Sequence, residues 1–125
     1  MVIEGGNDPQ SGYLSAKKLL DMPERPTAIF TNDITAVGVI RAVKEHNLRV
    51  PEDVSVVGFD DIDAALYLEP NLTTVSVQKT EMGKLAAQKI IQMIKGQDAP
   101  APNKVLLPTH LVIRDSTARC SALKG

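Results

Sequence analysis

The stretch Val54-Ser55-Val56-Val57-Gly58-Phe59-Asp60-Asp61 decides the fold. A short, β-branched, nearly unbroken apolar run reads as a strand covered on both faces, because a half-exposed strand would alternate. It ends abruptly in two carboxylates. Two similar runs precede it, Val2-Ile3 and Thr27-Ala28-Ile29-Phe30-Thr31. Between them lie helical stretches, one from Pro9 to about Met22 and one from about Ile34 to His46. Strand and helix in alternation predict an α/β fold: a parallel, Rossmann-like sheet with right-handed crossovers and helices on both faces.

The boundaries carry their own signals. Asp8-Pro9 places a capping side chain before a proline at the first helical position. Pro23 and Pro26 end that helix. Beyond Asp61 the sequence predicts a short helix near Ala64–Leu68, then a strand at Thr73–Val77. A helix over about 81–95 follows, with Thr80 as its cap and Gly96 as its stop. Met82, Ala86, Ile90 and Met93 share one face of it and read as core. Gln97–Asn103, with Pro100 and Pro102, reads as a linker. Val105–Leu107 and Leu111–Ile113 read as a closing strand or pair of strands, and the tail after Asp115 as frayed. Met1-Val2-Ile3-Glu4-Gly5 opens as a strand already under way, so the chain is expected to be part of a longer protein.

Composition excludes several classes. The 125 residues suit one ordinary domain. Lys and Arg number 14 against 15 Asp and Glu, a balance without the basic footprint of a nucleic-acid binder. No apolar run approaches the roughly 20 residues that span a bilayer. The lone Cys120 forms no internal disulfide, which fits a cytoplasmic protein.

The acids at 60 and 61 have counterparts. The first run ends at Asn7-Asp8, the second at Asn32-Asp33. Asn7, Asn32 and Asp60 are spaced 25 and 28 residues apart, each a reasonable strand-to-strand repeat. Ligands of open α/β sheets bind outside the carboxyl ends of the strands. In each pair the second residue is expected to cap the next helix and the first to face the crevice. Local capping alone also explains any one pair; three in register favour a ligand site. Asn donates and accepts, and Asp accepts in a fork, which suits the vicinal hydroxyls of a sugar or nucleoside. No glycine-rich cradle or Lys prepares a phosphate site, and too few carboxylates converge for a metal. No nucleophile motif or separated acid–base pair stands out. His46 ends a helix and His110 reads as structural. No enzyme activity, cofactor or metal is expected.

The segment Pro26–Thr74, PTAIFTNDITAVGVIRAVKEHNLRVPEDVSVVGFDDIDAALYLEPNLTT, resembles the effector-binding core of LacI/GalR-type bacterial transcription regulators. The matching residues are Asn32-Asp33, Ala36-Val37-Gly38, Leu48 to Asp53, Val54 to Asp61, and Pro70 to Thr74. The likeness runs on through Met82-Gly83 to Leu106-Leu107-Pro108. It implies a periplasmic-binding-protein type I fold, present here as a partial, mostly C-terminal subdomain. By that resemblance, residues 1–75 belong to the C-terminal subdomain, 76–103 to a helix and linker of the N-terminal one, and 104–125 to a returning strand and tail. It assigns effector contacts to Asn32 and Asp60 and a ligand-lining residue near Asn7. That residue is often aromatic in the family, so Asn7 departs from the pattern. The family's arginine clamp and its helix-turn-helix headpiece would lie outside this chain, and operator DNA would be met only through that headpiece. A solute-binding protein of a transport system shares the fold and is the alternative reading.

The helix from Ile34 to His46 has a second apolar strip. Ala36, Val39, Ile40 and Val43 make one face; Ile34 and Val37 stand opposite, flanking Arg41. Scattered surface apolar residues are common. The family, however, dimerises through this helix and the segment after the double acid. The resemblance therefore implies a homodimer patch of Ile34, Val37, Arg41 and Tyr67.

Overall fold

The computed structural model describes residues 1–96 and 104–120. The expected linker at 97–103 lies outside them. Helix α1 (Pro9–Leu20) leads to strand β1 (Ala28–Phe30), helix α2 (Asp33–Glu45) and strand β2 (Ser55–Asp60). A 3-10 turn (Asp63–Leu66), strand β3 (Thr73–Ser76), helix α3 (Lys79–Ile94) and strand β4 (His110–Val112) follow. The four strands form one sheet in the order β1-β2-β3-β4. β1 pairs parallel with β2, setting Ile29 opposite Val56, and β2 pairs parallel with β3, setting Gly58 opposite Thr74. The fold is α/β with a parallel-dominated sheet, as the alternation of runs predicts.

Two compact units divide the chain. The first comprises Met1–Ser76 and the chain from Leu111 onward; the second is Val77–His110. In the first, α2 lies over the sheet face carrying Ile29 and Val56. Ala36, Val39, Ile40 and Val43 meet that face, joined by Ala16 and Leu20 of α1. The two helices approach closely because Gly38 has no side chain: the Pro9 carbonyl occupies the space a Cβ would need.

Several expectations need correction. Val2-Ile3 forms no strand, and Val2 is almost fully exposed. An extended stretch becomes a strand only when a neighbour takes its hydrogen bonds, and none pairs with it here. Among the described residues, helices cover one face of the sheet, not both. On the other face Phe30 and Phe59 remain 65% and 36% exposed and touch edge to face, ring centroids 6.4 Å apart. Val105–Leu107 forms no strand, and Val105 and Leu106 are exposed.

Over its described part, residues 116–120, the tail is tied to the sheet at Ser116 and Ala118 instead of frayed. Ser116 is fully buried, and its carbonyl accepts from Val56 N–H at 2.8 Å. Its hydroxyl donates to the Val56 carbonyl and accepts from Thr73 N–H. Ser116 thus takes the place beside β2 where β3 has not yet begun.

The second unit also departs from expectation. α3 begins at Lys79 with Gln78 in the cap position and no side-chain capping bond. Thr80 is therefore inside the helix and does not cap it. Gly96 ends it at φ +66°, as expected of a left-handed stop. No residue of α3 is buried, and Met82, Ile90 and Met93 are exposed, so the methionine stripe is not core in this chain. Among the described residues no helix is long and apolar enough to cross a membrane.

Candidate ligand-binding site

β1 and β2 run parallel with Phe30 opposite Val57, so both deliver their polar ends to the same edge of the sheet. Past Phe30, Thr31 N–H still donates to the Val57 carbonyl at 3.0 Å. Asn32 then turns the chain into α2. Its side-chain oxygen accepts from Thr35 N–H at 2.8 Å, making it the cap of that helix. Its amide nitrogen donates to Asn7 Oδ1 at 2.7 Å. Two of the three sequence-chosen ligand residues are thus joined directly. The Asn32 amide has a second hydrogen to offer, and the Asn7 amide nitrogen brings two more.

The division of labour within the pairs is only partly as expected. Asp8 caps α1, accepting from Ser11 N–H at 2.9 Å. That bond holds the Asp8 carboxyl below its ordinary range. At the second pair the roles reverse: the first residue, Asn32, caps, and the second, Asp33, is 1% exposed. Asp33 accepts from Thr74 Oγ1 at 2.6 Å and from Ile62 N–H at 2.9 Å. It fits because Gly58 lacks a side chain; a Cβ there would collide with the Asp33 carboxyl and with Leu72.

Asp60 ends β2, paired in register with Ser76, and is half-buried. Its φ is +109° and that of Asp61 is +53°. Two consecutive non-glycine residues in this region cost about 1–3 kcal/mol each, so the surrounding contacts must hold them there. Asp61 accepts from Arg114 Nη2 at 2.7 Å, and its N–H reaches Thr74 Oγ1 at 3.4 Å. Asp33, Thr74, Asp61 and Arg114 therefore form one polar knot beneath the turn. Among the described residues, every buried side-chain polar atom has a partner. Asp61 faces Arg114 and serves the turn; Asp60 stands at the edge that carries Asn32.

Asp33 and Arg114 were missed as organising residues. Asp33 reads like any helix-start acid. Gly58 and Thr74, a glycine and a hydroxyl inside otherwise apolar strands, were the available sign that something polar packs between them.

The second apolar strip of α2 is present. Ile34 is exposed, Val37 half-buried, and Tyr67 is 85% exposed. Val37, Arg41, Lys44, Tyr67 and Leu68 line a shallow groove of about 410 Å³. Arg41 bonds Glu45 at 2.9 Å, and Glu45 accepts from Tyr13 Oη at 2.6 Å. The Tyr13 bond, with Arg41 beside it, holds the Glu45 carboxyl below its ordinary range.

Polar groups at the carboxyl ends of parallel strands mark the edge where open α/β sheets bind ligands. The family model described as "Periplasmic binding protein-like domain" matches residues 2–117. The chain belongs to this family, and the relatives it resembles within it are LacI-type repressors. It is 40% identical over 116 residues to the ribose operon repressor of Haemophilus influenzae, covering 92% of this chain and 35% of that protein. A crystal structure of the lac repressor dimer bound to operator and an anti-inducer superposes with a TM-score of 0.83 at 34% identity. That match covers 93% of this chain and 40% of the repressor. A LacI-family regulator from Enterococcus faecium with bound ribose gives 0.81 at 31% identity, covering 94% and 43%. The chain thus spans about a third of the length of the curated relatives it matches.

Proposed function

We propose that this chain is the effector-sensing and dimerising part of a LacI-type transcription regulator, acting in the cytoplasm. A sugar-like or nucleoside-like molecule would bind at the edge formed by Asn7, Asn32 and Asp60. The observation that carries this reading is the direct Asn7–Asn32 bond beside the strained end of β2. Amide donors and a carboxylate acceptor at one sheet edge match the hydroxyls of a sugar. The ribose-bound relative makes ribose the first ligand to try.

In this reading residues 1–75 and 104–125 belong to the C-terminal subdomain of such a regulator, and 76–103 to a helix and linker of its N-terminal subdomain. Effector binding shifts the balance between DNA-competent and DNA-incompetent states by favouring one of them. In this reading operator contact would lie in the part of such a regulator that these residues do not match. The repressor relatives favour this reading over a transport protein.

A thermal-shift screen of sugars and nucleosides on the full-length regulator tests the assignment. Ribose or a related polyol is expected to raise the melting temperature. No response to any hydroxyl-rich ligand would contradict it.

The groove between α2 and Tyr67 supports a symmetric dimer patch of Ile34, Val37, Arg41 and Tyr67. Val37→Glu places a charge at its centre and should shift the full-length regulator from dimer toward monomer in sedimentation. An unaltered dimer would remove the patch.

A further inference from the structure

Arg114 lies just past Leu111, where the chain rejoins the first unit. Its side chain is mostly buried, 15% exposed against 23% for Asp61. Three donors fan out from this one residue. Nη1 donates to the Leu72 carbonyl at 2.8 Å and Nη2 to Asp61 Oδ1 at 2.7 Å. Its backbone N–H donates to Thr73 Oγ1 at 2.9 Å. The residue therefore ties three segments together: the returning chain, the start of β3 and the acid turn. The guanidinium fork suits this task, because its N–H groups leave in fixed, divergent directions. A lysine ammonium has three donors but no such plane, and its single nitrogen does not reproduce the two divergent bonds to Leu72 and Asp61.

The acid turn needs such a tie. Asp60 and Asp61 both have positive φ, a conformation that survives only when neighbouring contacts over-determine it. Asp61 N–H reaches Thr74 Oγ1, and the next N–H, of Ile62, is taken by Asp33. The side chain of Asp61 is what Arg114 holds. Because Asp60 and Asp61 are consecutive, anchoring Asp61 restrains the backbone from which the Asp60 side chain leaves.

We infer that Arg114 is a positioning residue for effector capture: by holding Asp61 and the start of β3, it aims the Asp60 carboxylate at the ligand without touching the ligand itself. This inference rests on the reading of Asp60 as a ligand residue. It extends that reading to a residue some fifty positions away, just past the closing strand.

The test uses the full-length regulator with ribose as the probe, comparing wild type, Asp60→Ala, Arg114→Lys, Asp61→Asn and the double variant. Calorimetry reads affinity, amide hydrogen exchange reads the turn, and thermal melting reads the fold. In Arg114→Lys, exchange at residues 61 and 62 should rise at least tenfold while the amides of Val43 and Val56 keep their protection. Ribose affinity should fall at least tenfold with little change in melting temperature. Asp61→Asn should behave alike, and the double variant should be no worse than either single one. Should Arg114→Lys fail to fold, Asp61→Asn carries the same test. Ribose binding lost in Asp60→Ala but kept in Arg114→Lys, or in Asp61→Asn, overturns this inference alone. Faster exchange with unchanged affinity makes Arg114 merely structural and also overturns it. Absent ribose binding in the wild type, or binding unchanged in Asp60→Ala, overturns the ligand-site reading and this inference with it.

Discussion

α2 and α3 are both amphipathic, and both follow strands of the same sheet. α2 buries eight of its 13 residues; α3, with 16, buries none. The difference is not in their sequences' periodicity. α2 meets a surface that this chain supplies, the face of Ile29 and Val56, and α1 closes over its flank. α3 carries Met82, Ile90 and Met93 on a face of its own, with no partner for it among the described residues. Helical periodicity tells that a helix has an apolar face. It does not tell whether the partner of that face lies in the same chain.

The sharpest way to break the contrast is at the floor of α2. Asp33→Ala removes the acceptor of both Thr74 Oγ1 and Ile62 N–H. Leaving one buried and one part-buried donor unmatched should cost about 2–3 kcal/mol, measured by urea unfolding of the full-length protein. A loss below about 1 kcal/mol would mean the knot is not holding the turn.

Core truncation separates the two helices more finely. Val43→Ala, at a fully buried site, should cost about 2 kcal/mol whether measured in these 125 residues or in the longer protein. Ile90→Ala should cost less than about 0.5 kcal/mol in these 125 residues, since Ile90 is exposed. In the longer protein its cost should rise to about 2 kcal/mol if α3 finds its cover there. Equal, small costs in both settings would show that the apolar face of α3 stays bare.

Local signals in the sequence held at several places where the physics was local. Asp8-Pro9 starts α1 because cap and proline act within one turn. Gly96 stops α3 because a left-handed residue needs no distant partner. The Val54–Phe59 run became the central strand it resembles. Apart from Thr80, which lies inside α3 and does not cap it, the failures share one cause, dependence on partners far along the chain. Val2-Ile3 has the composition of a strand but no neighbour to pair with. Ser116 looked like tail because its partners, Val56 and Thr73, are 60 and 43 positions away. Asn32 and Asp33 exchanged roles because either can cap, and only Gly58 and Thr74, on other strands, make room for Asp33 below. Of the candidate site, the series Asn7, Asn32 and Asp60 was the sequence's proposal, and the structure joins two of its members by the Asn7–Asn32 bond. The means of holding Asp60, a strained turn tied to Arg114, was not legible there.

The central claim is that the sheet edge carrying Asn32 and Asp60 receives a polyol. A crystal structure of the full-length regulator grown with ribose tests it most directly. The account predicts ribose hydroxyls within about 3 Å of the Asp60 carboxylate and the Asn32 amide. Ribose bound with neither residue in reach, or an edge left empty at saturating ribose, would contradict it.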